Sequence, residues 1–164
     1  MKIYKIGIIG CGGIAQKMAA TLEKMKGVER YAVASRNQEK AEAFANKWGF
    51  TKAYGSYEEL ASDPEVDLIY IATPHAMHYD NAHMCIEKGK PVLCEKAFTA
   101  NARQAEELLA FAKEKGVFIT EAIWTRYMPL SLKIQELLKE GVIGTPYTLS
   151  ANLSYPISNK ERII

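Results

Sequence analysis

The stretch Lys5-Ile6-Gly7-Ile8-Ile9-Gly10-Cys11-Gly12-Gly13-Ile14-Ala15 decides the fold. Its first five residues form a short, nearly continuous apolar run, the pattern of a strand covered on both faces. A glycine-rich loop follows at once, and the residues after it carry helical spacing. Gly10-Cys11-Gly12-Gly13-Ile14-Ala15 therefore matches G-x-G-x-x-A at the junction of strand, loop and helix, where that pattern has a physical meaning. Gly10 permits the tight turn, Gly12 lets the backbone approach a pyrophosphate, and Ala15 allows helix to pack closely on strand. Gly13 and Ile14 open the helix, whose unpaired N–H groups and partial positive charge suit phosphate oxygens. A dinucleotide is the ligand this arrangement fits.

Working outward, strands are expected at Lys5 to Ile9, Tyr31 to Ala34, Leu68 to Ala72, Pro91 to Cys94 and Val117 to Thr120. Helical stripes lie between them. They are Ile14, Met18, Leu22 and Met25; Ala41, Phe44, Ala45 and Trp48; Tyr79, Ala82 and Ile86; and Ala105, Leu108, Leu109 and Ala112. Asn101 with Gln104 three residues on forms a capping box for the last. Alternating strands and helices with right-handed crossovers give an α/β fold, a Rossmann-type doubly wound parallel sheet. Ligands bind such sheets beyond the carboxyl ends of the strands.

At the end of the second strand stands Ala34-Ser35-Arg36, where a protein selective for NAD would place an acid for the ribose 2′-hydroxyl. Ser35 can donate to a 2′-phosphate and the planar guanidinium of Arg36 can pair with it. Lys40 adds a second positive charge on the following helix. NADP is therefore expected in preference to NAD.

Thr73-Pro74-His75 ends the third long strand, with His78 one helical turn beyond. Two histidines without a third ligand do not make a metal site, and no metal is expected. Thr73, Pro74 and His78 are read as cofactor contacts, His78 through a ribose or phosphate. Cys94-Glu95-Lys96-Ala97 closes the next strand. A lysine against a partly dry cofactor surface can exchange a proton with an alcohol or carbonyl while hydride moves, which makes Lys96 the candidate catalytic residue. Glu95 is a candidate holder of the nicotinamide ribose. The competing reading of the pair is a surface ion pair of little worth.

Taken in order, the Gly10 to Ala15 loop, Ser35-Arg36, Thr73-Pro74-His75-Ala76-Met77-His78 and Glu95-Lys96 resemble the glucose-fructose oxidoreductase, inositol dehydrogenase and rhizopine-catabolism oxidoreductase family from end to end of the chain. Glu121 to Pro129 resembles its dihydrodiol dehydrogenase-like subgroup. The resemblance implies that Lys96 hydrogen-bonds the reacting hydroxyl and that Ser35 and Arg36 select NADP. It also implies that Trp124 and Arg126 lie near the nicotinamide or the mouth of the substrate pocket; an aromatic core residue beside an interface ion pair is the alternative. The family's proline after the lysine is Ala97 here. A cis bond before a non-proline residue costs about 2.5–4 kcal/mol, so a trans Lys96–Ala97 bond is expected.

The domain organisation expected is a cofactor-binding domain over 1–122, followed over 123–164 by a connecting helix and the first strand of an incomplete α+β substrate and dimerisation domain. That helix carries Leu130, Ile134, Leu137 and Leu138, and Tyr147 to Tyr155 alternates like a strand. The resemblance implies a longer protein whose later part supplies a catalytic histidine and most substrate contacts, so this chain is expected to stop early. Lys and Arg number 21 against 19 Asp and Glu, with no basic stripe, which gives no reason to expect nucleic acid or a membrane surface. Cys11, Cys85 and Cys94 fit reduced thiols in a cytoplasmic protein, and the run Ile6 to Ile9 is too short for a signal segment. The functional expectation is an NADP-dependent oxidoreductase moving hydride between nicotinamide and a secondary alcohol of a sugar, polyol or diol, a homo-oligomer in its complete form. The alternatives are a non-catalytic dinucleotide-binding module or truncated relic, and an interaction role for an unpaired strand edge at Tyr147 to Tyr155.

Overall fold

The structure is a computed structural model that describes residues 2–154. Six strands pair in parallel in the order β3-β2-β1-β4-β5-β6. They are β1 (Tyr4–Ile9), β2 (Val28–Ala34), β3 (Lys52–Tyr54), β4 (Leu68–Ile71), β5 (Val92–Cys94) and β6 (Ile119–Glu121). The helices between them are α1 (Gly13–Leu22), α2 (Gln38–Trp48), α3 (Tyr57–Ser62), α4 (His78–Glu87) and α5 (Ala102–Lys115). The chain divides into two compact units, Met1–Ile123 and Trp124–Ile164.

Alternation along the strands sends neighbouring side chains into different cores. Ile8, Val33 and Tyr70 join Ala15, Ala19 and Phe44 of α1 and α2 on one face. Ile9, Ala32, Ile69 and Ile71 join Leu60, Ala82, Ile86 and Leu108 of α3, α4 and α5 on the other. Both faces are covered, which is why the strands read as unbroken apolar runs.

Two expected stripes need correction. On α1 the buried residues are Ala15, Ala19 and Leu22, while Ile14 is 38% and Met25 50% exposed. A helix held close to its sheet by a short glycine loop has room only for small side chains next to that loop, at Ala15 and Ala19, and admits a leucine at its far end. On α5, Leu108 and Ala112 are buried and Leu109 faces out. Asn101 Oδ1 accepts the Gln104 N–H at 3.0 Å, and Gln104 Oε1 accepts the Ala100 N–H at 3.1 Å.

The second unit contains α6 (Pro129–Lys139), with Leu130, Ile134, Leu137 and Leu138 exposed. The strand expected at Tyr147 to Tyr155 does not form over the described residues 147–154, and Tyr155 lies outside them. A strand is defined by its pairing, and among the described residues no strand pairs with this segment.

Away from the glycine loop, one ionic cluster ties the α3–β4 connection to β3. Lys52 Nζ and Tyr54 Oη donate to the buried Asp63 carboxylate at 2.8 and 2.6 Å, and the Glu65 N–H adds a third bond at 2.9 Å. Burial pushes the Asp63 carboxyl up, but these bonds outweigh it and hold the group at about 2. A depressed folded value means stability that is full above the unfolded value and lost as pH falls through the folded one. The difference in thermal midpoint between wild type and Asp63→Asn should therefore be constant above about pH 5 and shrink between about pH 4 and pH 2.

A second expected outcome concerns the loop itself. Gly10 has φ of 101°, and a Cβ there would sit 2.8 Å from the Ala72 carbonyl oxygen. Gly10→Ala should cost about 2–4 kcal/mol in urea unfolding, from left-handed strain plus that clash. Gly12→Ala, where a Cβ meets nothing within 4 Å, should stay within about 0.5 kcal/mol.

Candidate functional site

The strand order reverses between β1 and β4, so the segments leaving them part to opposite faces of the sheet and open a crevice at their carboxyl ends. The strand ends are level: Ile9 pairs with both Ala34 and Ile71, Ile71 with Cys94, and Cys94 with Glu121. Hydrogen bonds continue one residue past the strands. Gly10 N–H donates to Ala34 O at 2.9 Å, Ala72 N–H to Ile9 O at 2.8 Å, and Glu95 N–H to Ile71 O at 3.0 Å. The loops that follow are thus held on a common, rigid edge.

The first of these loops is Gly10 to Gly12. Gly12 caps α1 without any side-chain hydrogen bond, and the first turn of α1 has no acidic residue. The N–H groups there keep their affinity for an anion. Gly12, Gly13 and Ile14 are exposed, and Ala15 is fully buried against Ile8 and Val33.

Beyond β2, Ser35 is buried, its N–H bonded to Tyr54 O at 3.1 Å and its Oγ accepting the Asn37 N–H at 3.4 Å. Asn37 Oδ1 in turn caps α2 by accepting the Lys40 N–H at 2.8 Å. Arg36 and Lys40 are exposed. Burial pushes the Cys11 thiol up, opposed by the positive charge of Lys40 and by hydrogen bonding with Ser35. Burial likewise pushes the Tyr57 phenol up, opposed by the charge of Arg36. Arg36 and Lys40 thus place two positive charges near Tyr57 and Cys11 beside the glycine loop, with Glu39 exposed between them in sequence.

Beyond β4, Thr73 is buried, its Oγ1 accepting from Asn81 Nδ2 at 3.0 Å, while Pro74 and His75 are exposed. His78 corrects an expectation. Its ring is completely buried, with Nε2 3.0 Å from Thr73 O and Nδ1 2.8 Å from Ala97 O. Both polar atoms are used inside the fold, so His78 bridges the β4 and β5 loops rather than offering a nitrogen to a ribose or phosphate. Sequence spacing could place it near the crevice but not show which way the ring points.

Beyond β5, Glu95 is buried and Lys96, its neighbour, is exposed. Tyr70 Oη donates to Glu95 Oε1 at 2.5 Å, and the Lys96 N–H donates to Glu95 Oε2 at 3.2 Å. The Lys96–Ala97 bond is cis, not trans as expected. Reasoning from the local cost alone left out the contacts on either side, where Ala97 O meets His78 and the Phe98 N–H donates to Glu121 Oε1 at 2.9 Å. Among the described residues no group of three or more His, Cys, Asp or Glu side chains is placed to hold a metal ion.

Residues 4–122 match the oxidoreductase family with an NAD-binding Rossmann fold, GFO_IDH_MocA. The chain belongs to this family. It is 44% identical to D-xylose 1-dehydrogenase (NADP(+)) of Hypocrea jecorina, over 96% of this chain and 43% of that protein. It is 41% identical to trans-1,2-dihydrobenzene-1,2-diol dehydrogenase of Mus musculus, over 95% of this chain and 47% of the other. Among solved structures, an NAD binding oxidoreductase from Klebsiella pneumoniae superposes with a TM-score of 0.83 at 35% identity, covering 88% of this chain and 40% of that one. KijD10, a 3-ketoreductase from Actinomadura kijaniata in complex with TDP-benzene and NADP, superposes with a TM-score of 0.79 at 32% identity, covering 87% and 45%. The chain spans a little under half the length of these relatives.

Within this GFO_IDH_MocA domain the crevice brings together Gly12, Gly13 and Ile14, Ser35 with Arg36, and the Thr73 and Lys96 loops. Trp124 and Arg126 are exposed in the 3₁₀ turn Trp124–Tyr127 of the second unit. Three residues of the site escaped the sequence reading: Tyr57, Asn81 and Tyr70. Only Tyr57 left a local trace, since Ser56 before it is a helix cap whose hydroxyl accepts the Glu58 N–H. No described helix is long and apolar enough to cross a membrane.

His78→Phe should remove both contacts of the buried ring and leave the carbonyl oxygen that its N–H serves without that donor. Its cost in urea unfolding should be about 3 kcal/mol, more than an exposed residue such as His75 could give on truncation.

Proposed function

We propose that this chain is the NADP-binding part of an oxidoreductase that moves hydride between nicotinamide and a secondary alcohol of a sugar, polyol or diol. The observation that carries the reading is the pairing, at one crevice, of an uncapped helix start with a cationic group. Gly12 and Gly13 are not required by packing, because a Cβ on either would meet no atom of the chain. Small residues there gain their purpose from a ligand that must come close to the backbone, and the α1 N-terminus gives that ligand a negative charge to match.

Ser35, Arg36 and Lys40 supply what a 2′-phosphate needs and include no carboxylate to repel it. The names of the relatives point the same way: one is an NADP(+) dehydrogenase of D-xylose, one a diol dehydrogenase, and KijD10 is a 3-ketoreductase in complex with NADP. When bound, the nicotinamide supplies the hydride acceptor or donor. The chain's own contribution is to hold the pyrophosphate at Gly12 to Ile14 and the 2′-phosphate at Ser35 and Arg36. Lys96 Nζ, exposed at the end of β5, would give a proton to or take one from the reacting oxygen. Thr73 and Pro74 line the crevice between these groups.

Fluorescence titration with NADPH and with NADH tests the reading. Arg36→Ala should weaken NADPH about tenfold or more, the loss of one charge-assisted contact, and leave NADH within about twofold. Equal effects on both nucleotides, or no binding by the wild-type chain, would overturn it.

A further inference from the structure

Glu95 and Lys96 are adjacent in sequence and carry opposite charges, yet they do not form an ion pair. The carboxylate of Glu95 points into the fold, only 8% of the residue being exposed, and the lysine points out. Among the described residues the Lys96 ammonium has no ion-pair partner. What turns the carboxylate inward is Tyr70. Its ring is 2% exposed in the core formed with α1 and α2, and its hydroxyl reaches Glu95 Oε1 at 2.5 Å across the β4–β5 pair. The second carboxylate oxygen is occupied by the Lys96 main-chain N–H.

We infer that Tyr70 is a positioning residue for Lys96: by capturing the Glu95 carboxylate it keeps that charge from neutralising the neighbouring ammonium, which stays available to a reacting oxygen. The inference deepens the proposed function and rests on its placing Lys96 at the reaction. A carboxylate released from a buried hydroxyl seeks another donor, and the side chain of the next residue carries the opposite charge. An ammonium locked into an ion pair has a proton less ready to give. The phenol suits the task, because burial and then the bond to Glu95 push it far above its ordinary value, so it remains a donor at every working pH. The Cys94 thiol also faces Glu95; burial pushes it up to about 12, and it faces Glu121 from β6 as well. Neither neighbour competes for the role, since a buried thiol is a weak donor and Glu121 accepts the Phe98 N–H.

The test is the titration of Lys96 in the full chain without nucleotide, followed by NMR of the lysine side chain. Tyr70→Phe keeps the buried ring and removes only the hydroxyl. It should raise the Lys96 midpoint by about half a pH unit, the size an exposed ion pair supports. In Tyr70→Phe/Glu95→Gln the midpoint should return to that of Glu95→Gln alone, which a general loosening of the site would not produce. An unchanged midpoint in a folded Tyr70→Phe protein would overturn the inference. If that variant does not fold, the wild type still decides: a slowly exchanging Tyr70 hydroxyl proton that disappears in Glu95→Ala, which has no acceptor there, supports the contact, and its absence from the wild type refutes it. Because no nucleotide is present, failure of NADPH binding would remove the proposed function and leave this result standing.

Discussion

The close contact between Gly10 and the main chain of Ala72 is the constraint on which the rest of this domain depends. It lies where the strand order reverses, between β1 and β4, at a positive φ and with no room for a Cβ. Because the turn is that tight, α1 begins at Gly13, four residues after the end of β1 at Ile9, with no side-chain cap on its first N–H groups. Because α1 then lies close to the sheet at its start, its inner face begins with Ala15 and Ala19 and reaches a leucine only at Leu22, its last residue. One backbone position thus couples the local turn, the packing of the first helix and the direction of the helix dipole.

Two acidic groups at the strand ends are held by donors of the fold, Glu95 by Tyr70 and a main-chain N–H, Glu121 by the Phe98 N–H, while Glu39 in the first turn of α2 is exposed. Arg36, Lys40 and Lys96 stay exposed. A crevice lined this way attracts phosphate, and its anchoring groups remain rigid because their partners are backbone or buried side chains. Rigidity matters more than charge alone, since loops resting on level, paired strand ends reorganise little when a ligand arrives.

Much of this was legible in the sequence, and for physical reasons. The order of strands and helices, the Gly10 to Ala15 loop and the missing acid after β2 are local patterns whose spacing reports geometry directly. The three-residue strand β3 and the six-residue helix α3 were not legible, because neither is long enough to show a period and β3 is a partly exposed edge. Contacts between elements were also hidden. Tyr70 reads as one more apolar strand residue, and nothing near it announces a hydrogen bond to Glu95, 25 residues on. His78 shows the converse: its place beside the crevice was readable, but the direction of its ring depends on two carbonyls supplied by different loops. The Lys96–Ala97 bond was misjudged because only its local cost was visible from the chain.

Amide chemical-shift mapping during titration with NADPH tests the central reading most directly, because it reports where on the chain the nucleotide lies. The expected result is that the largest shifts fall on Gly12, Gly13, Ile14, Ser35 and Arg36, with smaller ones at Thr73 and Lys96. Shifts centred instead on the opposite end of the sheet, around Val28 and Thr51, or on the exposed face of α6, would contradict it.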